Sequence, residues 1–333
     1  MTKRTRYFIS AASLIMVASL CTGLVAYYSG GLPLMASRAS ANDDLAYVPA
    51  DSTIVAYANV RDIMNSEFRQ KLRQAIPTGE GRNEFFAETG IDLERDVTSV
   101  VAAFAGVPDT AKGGPEQNVV VLVRGVFNPP QIQASAVQRG ATVSDYKGKQ
   151  VITMKDGDSG GGVAFLEPGL AAIGTTSSLH RAIDAHSGAN VTNSADVMRL
   201  IGDVDPSANA WAVGRMDDMQ KVSGLPEQVK AQMPAVQWFS VTGHVNGGVS
   251  GTMRAEARDD QSAENLRAVI NGGLALARMQ MGKDNKLDAI INSLQMTGTG
   301  KTVGLSFSLP SEVIDMISGA AGAGLSNLHK QFR

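Results

Sequence analysis

The 333-residue chain has a single cysteine, Cys21, and it lies inside the N-terminal apolar segment. Everything after it is therefore without disulfides, cysteine metal ligands or thiol nucleophiles. Histidine is scarce, with only His180, His186, His244 and His329. No two are four residues apart, so no helical pair exists to hold zinc. Aromatic residues make up 5% of the chain. Its two tryptophans, Trp211 and Trp238, fall in segments that read as core-packing strands. Basic surplus is also missing. Lys3, Arg4, Arg6 and Arg38 are the only charges before position 42, which leaves 26 basic against 32 acidic residues in the remainder. Such a balance gives no footprint for nucleic acid, so no nucleic-acid partner is expected.

The N-terminus does have a 21-residue run without charge, Phe8 to Tyr28, behind a basic leader at 1–7. At about 1.5 Å per residue, a helix of that length spans the roughly 30 Å hydrocarbon core of a bilayer. The leader favours a cytoplasmic N-terminus, and Tyr7, Tyr27 and Tyr28 suit the two interfaces. A signal peptide cleaved after "ASA", Ala39 to Ala41, is the competing reading, although that site stands far beyond Tyr28. Both readings put the folded part outside the cytoplasmic (inner) membrane, single-pass if uncleaved.

Residues 29–44 read as a linker of small and polar residues. Beyond it, 45–200 and 201–333 read as two related units. "STIVAYANVRDIM" and "ANAWAVGRMDDMQ" match at an offset of 156, with Ala212 falling on Ala56 and Asp218 on Asp62. The predicted fold class is α+β: two units of antiparallel sheet backed by helices, after an N-terminal transmembrane helix. In the first unit, Asn128 and Pro129 begin a helix, while Leu179, Ala182, Ile183 and His186 mark one face of another.

"GDSGG", Gly157 to Gly161, resembles the surroundings of a serine nucleophile, but every histidine comes after Ser159, which excludes the chymotrypsin order. A nucleophile elbow allows Ser159 with Asp184 or Asp203 and His186 or His244, but it needs a helix directly after the serine. The residues after Ser159 are instead "GGGVAFLEPG", strand-like and glycine-rich. A calcium loop would use Asp156, Asp158, Gly161 and Glu167, but the fifth and ninth positions are Gly160 and Ala164, without side-chain oxygen. The segment therefore reads as a turn between strands. "TGTGKT", Thr297 to Thr302, likewise reads as a hairpin turn rather than a phosphate loop. Gly272 and Gly273, inside a long apolar helix, suggest close packing against another element and mark the best candidate interaction surface. No catalytic, cofactor-binding or metal-ligating residue is assigned, and no cofactor is expected.

With the anchor and the opening "YVPADSTIVAYANV" in hand, the chain resembles a loose class of uncharacterised bacterial membrane-anchored envelope proteins. These carry a repeated α+β exterior domain that opens on a Pro-Ala-Asp phrase, here Pro49, Ala50 and Asp51. The resemblance brings no site residues. The expected function is a non-enzymatic, membrane-tethered extracytoplasmic binding module, or an accessory subunit of an envelope complex with another envelope protein as partner. The alternatives are a carrier or sensor of a small apolar ligand and, more remotely, a serine hydrolase using Ser159.

Overall fold

The computed structural model describes residues 43–67, 93–105, 119–154, 161–215, 236–245, 248–280 and 292–310. The segment 8–28 lies outside them. Among the described residues, no helix is long and apolar enough to cross a membrane.

In chain order the elements are β1 (Ser52–Ala58), α1 (Val60–Asn65), α2 (Leu93–Asp96), β2 (Val97–Ala105), β3 (Val119–Gly125) and α3 (Pro129–Gln138). Then come β4 (Thr142–Tyr146), β5 (Lys149–Thr153), β6 (Gly161–Glu167), β7 (Leu170–Thr175), α4 (Thr176–Ser187) and α5 (Ala195–Gly202). The last are β8 (Ala210–Arg215), β9 (Val236–Val245), β10 (Gly248–Ala257), α6 (Asp260–Gln280), β11 (Gln295–Thr297) and β12 (Thr302–Pro310). Local chemistry explains several boundaries. The Asn128 side chain accepts from the Gln131 N–H and Pro129 comes next, so α3 starts there. Thr175 accepts from the Ser178 N–H to start α4, and Gly188 closes it.

The predicted fold class is corrected on one central point. The strands do not form two sheets but one twelve-stranded sheet, in the order β11-β12-β10-β9-β8-β1-β2-β3-β7-β6-β5-β4, antiparallel at every pairing. The join is between β1 and β8, where Ala56 stands directly opposite Ala212. Both strands are almost wholly apolar, "STIVAYA" and "AWAVGR". As the edges of separate sheets they would each expose a row of unpaired backbone groups beside apolar side chains, and pairing with each other removes that edge. Away from the seam the two halves run in matching order, β1-β2-β3-β7-β6 and β8-β9-β10-β12-β11.

One face of the sheet carries the main core. Val55, Val101, Leu122, Ala172, Ala164 and Val151 meet Leu179, Ala182 and Ile183 of α4 and Val197 and Leu200 of α5. Two glycines opposite each other, Gly162 and Gly174, let α4 settle onto this face: a Cβ on Gly162 would lie 3.1 Å from Leu179 Cδ1, and one on Gly174 3.2 Å from Ser178 Cβ.

The opposite face is apolar from edge to edge. One registered row crosses every strand: Val143, Ile152, Val163, Ile173, Val121, Ala102, Ala56, Ala212, Val241, Met253, Leu305 and Met296. At about 4.8 Å between strands this row is on the order of 50 Å long. A flanking row, Phe165, Ala171, Val123, Val100, Ala58, Ala210, Gly243, Gly251 and Phe307, is also without a polar side chain. Val60, Ile63 and Met64 of α1 cover Ala58, Val123 and Ala210 near one end, and the start of α6 covers Val303 through Ala263.

Candidate functional site

The strongest local polar construction lies where the chain enters the fold. Asp44, read from composition as the last linker residue, is buried, and the Arg124 guanidinium of β3 grips it through both Nε and Nη2; Nε is 2.9 Å from Oδ1. Three residues on, the Tyr47 hydroxyl donates to Glu167 Oε1 at 2.9 Å, and its ring lies parallel to His186 at 4.3 Å. Burial, then Glu167, push the Tyr47 phenol up from its ordinary value. Burial also pushes the Asp44 carboxyl up, against the pull of Arg124. Every member is engaged by another within the fold. The cluster is a clamp that ties residues 43–48 to β3, β6 and α4.

A second cluster brings together serine, histidine and aspartate. Ser207 Oγ lies 3.1 Å from His244 Nε2, and Asp205 Oδ2 lies 3.3 Å from that same nitrogen. A proton relay needs the acid on the ring nitrogen opposite the nucleophile, so that it fixes the tautomer. Here both groups compete for one nitrogen, and the Ser207 hydroxyl donates to Asp205 Oδ1 at 2.8 Å. The arrangement is a turn, not a relay. The Ser207 backbone N–H first, then its hydroxyl, holds the Asp205 carboxyl below its ordinary range. Ser207→Ala keeps the backbone donor, so it is expected to raise the Asp205 midpoint partway towards that range; carbon-detected NMR titration measures this. The sign comes from the lowered value: whatever Asp205 contributes is present above its unfolded midpoint and is lost as pH falls through the folded one.

The residues singled out for a hydrolase do not assemble among the described residues. Ser159, with Asp156 and Asp158, lies outside them. Its flanks are β5 and β6, paired antiparallel with Val151 opposite Ala164, so a strand stands where the elbow requires a helix. Asp184 is held below its ordinary range by Lys147 first and Tyr146 second, at 2.6 Å and 3.1 Å. His180 stacks on Tyr146 at 3.7 Å, His186 stacks on Tyr47, and Asp203 faces Arg199 at 3.7 Å. Glu167, the last ligand of the imagined calcium loop, is the acceptor of Tyr47. No group of three or more His, Cys, Asp or Glu among the described residues is placed to hold a metal ion. "TGTGKT" joins β11 to β12, with Gly298 and Gly300 at positive φ.

One expectation about the interaction surface is corrected. Gly272 and Gly273 do sit inside α6, but a Cβ at either would meet nothing within 4 Å among the described residues, so close packing against those does not explain them. Ala263, Leu266 and Ile270 of α6 meet the core, while Val269 is 62% exposed. Gly272→Ala and Gly273→Ala are each expected to stabilise the protein by up to about 1 kcal/mol, because alanine fits the helix and restricts the unfolded chain. Urea denaturation checks this.

The apolar row that crosses all twelve strands is buried at Ile152, Ala102, Ala56 and Ala212 and comes to the surface on either side of that centre. Ile173 of β7 is 45% exposed and Met253 of β10 is 50% exposed, one in each half of the sheet. Aromatic rings pave the ground between small residues, Phe239 over Gly214 and Phe307 over Gly251. Residue-by-residue reading missed this surface. The signal was available in the strict alternation of "TVGLSFSL" and the apolar positions of "GVSGTMRAEA", but their alignment with ten other strands was not. No family model, no curated protein and no solved structure matches this chain.

Proposed function

We propose that the protein is a non-enzymatic, membrane-tethered binding module of the cell envelope, held by Phe8–Tyr28 with its folded part on the extracytoplasmic side. It docks another envelope protein on the apolar face of its sheet. The observation that carries the reading is the twelve-residue apolar row with Ile173 and Met253 half exposed. Large apolar side chains exposed on one face are an ordinary mark of a protein-interaction site; here they flank a centre, Ala102, Ala56 and Ala212, that is buried. A carrier of a small apolar ligand would need space between sheet and helices, and there the described core is filled by Leu45, Leu166, Leu179 and Ile183. The anchor contributes by confinement: held in a thin layer at the membrane, the domain meets its partner at raised effective concentration. The envelope class that the sequence resembles fits this role.

The test is mild-detergent purification of the tagged full-length protein from its own membranes, with mass spectrometry of the eluate. A stoichiometric partner, depleted when Thr2 to Tyr28 is replaced by a cleavable signal, is the expected result. A protein that emerges alone contradicts the reading.

A further inference from the structure

The repeat in the sequence and the register of the sheet share one centre. At an offset of 156 residues Ala56 corresponds to Ala212, and the same two residues stand directly opposite each other where β1 meets β8. In an antiparallel pair, a residue that faces its own counterpart lies on a two-fold axis perpendicular to the sheet. The pairs on either side, Val55 with Val213 and Tyr57 with Trp211, are exchanged by that axis. Following the register outwards extends the correspondence along the apolar row: Ala102 corresponds to Val241, Val121 to Met253, Ile173 to Leu305 and Val163 to Met296.

Exposure along the row follows the same axis. Ala102, Ala56 and Ala212 at the centre are buried. The row surfaces at one pair of neighbours in each half, Val121 with Ile173 on β3 and β7, and Met253 with Leu305 on β10 and β12. These two pairs are counterparts under the axis, and each spans the third and fourth strands counted from the seam. In both, one large apolar side chain is half exposed, Ile173 or Met253, and its neighbour is partly buried. Six strand spacings of about 4.8 Å put the two positions on the order of 29 Å apart. The buried centre keeps a single continuous segment from lying along the whole row. Neither position is large enough alone: a stable interface removes about 800 Å² from each partner, far more than one half-exposed isoleucine or methionine and its neighbours supply. Two positions on one sheet engaged together compensate. The second contact forms at the effective concentration set by the first and strengthens binding by about 10²–10⁴. Homodimers are the commonest source of one element presented twice. We propose that the apolar face has two equivalent docking positions, and that the partner is a two-fold dimer which places the same apolar element on each. The inference rests on the reading of this face as the docking surface and adds the symmetry of what docks there, one chain to two partner copies.

The test places a photo-crosslinking amino acid at Ile173, at Met253 and at both, in the full-length chain in its own membranes. Either single position is expected to label the same protein through the same segment, and the double variant to yield a product with two partner copies. Met253→Ser is further expected to lower labelling from Ile173 at least about tenfold, since losing one of two linked contacts removes the gain from linkage. Ile173→Ser should do the same to labelling from Met253. Circular dichroism should be unchanged in both serine variants. Different proteins or segments at the two positions, labelling from one position alone, a product with one copy only, or remote labelling unaffected by the serine variants overturns the two-fold partner and leaves the docking surface standing. No labelling from either position in folded, membrane-associated protein overturns both.

Discussion

Arg124→Met is expected to destabilise the fold by about 3 kcal/mol, whereas Asp44→Asn is expected to cost only about 1 kcal/mol. The asymmetry comes from which group is left behind. Asp44 retains 2% of its side-chain exposure and Arg124 retains 21%. Without the guanidinium, a carboxylate is stranded in the interior with no route to water. Without the charge on Asp44, the guanidinium keeps an amide acceptor and can still reach solvent. The raised midpoint of Asp44 has the same origin, since burial outweighs Arg124 in its balance. A folded value above the unfolded one means that its contribution is fully present at acid pH and is lost as pH rises through the folded midpoint. The neutral asparagine removes that dependence. Urea denaturation of the two variants at several pH values reads both effects.

Gly162→Val is expected to cost about 3 kcal/mol, while Gly161→Val, its immediate neighbour, should stay within about 0.5 kcal/mol. A Cβ at Gly162 would lie 2.6 Å from the Ile152 carbonyl oxygen and 3.1 Å from Leu179 Cδ1. The first obstacle is backbone of the paired strand and the second belongs to α4, so relief requires moving either the sheet or the helix. A Cβ at Gly161 meets nothing within 4 Å among the described residues. Thermal or chemical denaturation of the pair tests whether α4 is seated through the Gly162–Gly174 gap. Similar losses in both would mean that the loss comes from valine in this strand rather than from the helix above it.

Strands and caps were legible in the sequence because their causes are local. Asn128 with Pro129, the period-two alternation of β12 and the helical spacing of Leu179, Ala182 and Ile183 all act within a few residues. The single sheet was not legible. Pairing of β1 with β8 joins residues 156 apart, and nothing near Ala56 or Ala212 distinguishes an edge strand from a central one. The same limit hid the clamp, since Asp44 looks like linker until Arg124, 80 residues later, is placed beside it. It hid the apolar face as well. Each strand contributes only one residue to the row, and its continuity exists only after every register across the sheet is fixed. Gly272 and Gly273 misled for the opposite reason: their helical cost is local and visible, but the open space around them is not.

The central claim is that the apolar face of the sheet meets a protein partner while the chain is tethered in its own membrane. The most direct measurement places a photo-crosslinking amino acid at Met253, at Ile173 and, as a control on the opposite face, at Thr252 in the full-length chain, irradiated in intact cells. A discrete crosslinked species from Met253 and Ile173, absent from Thr252, is the predicted result. Labelling from Thr252 alone, or from none of the three positions in protein that is folded and membrane-associated, would contradict it.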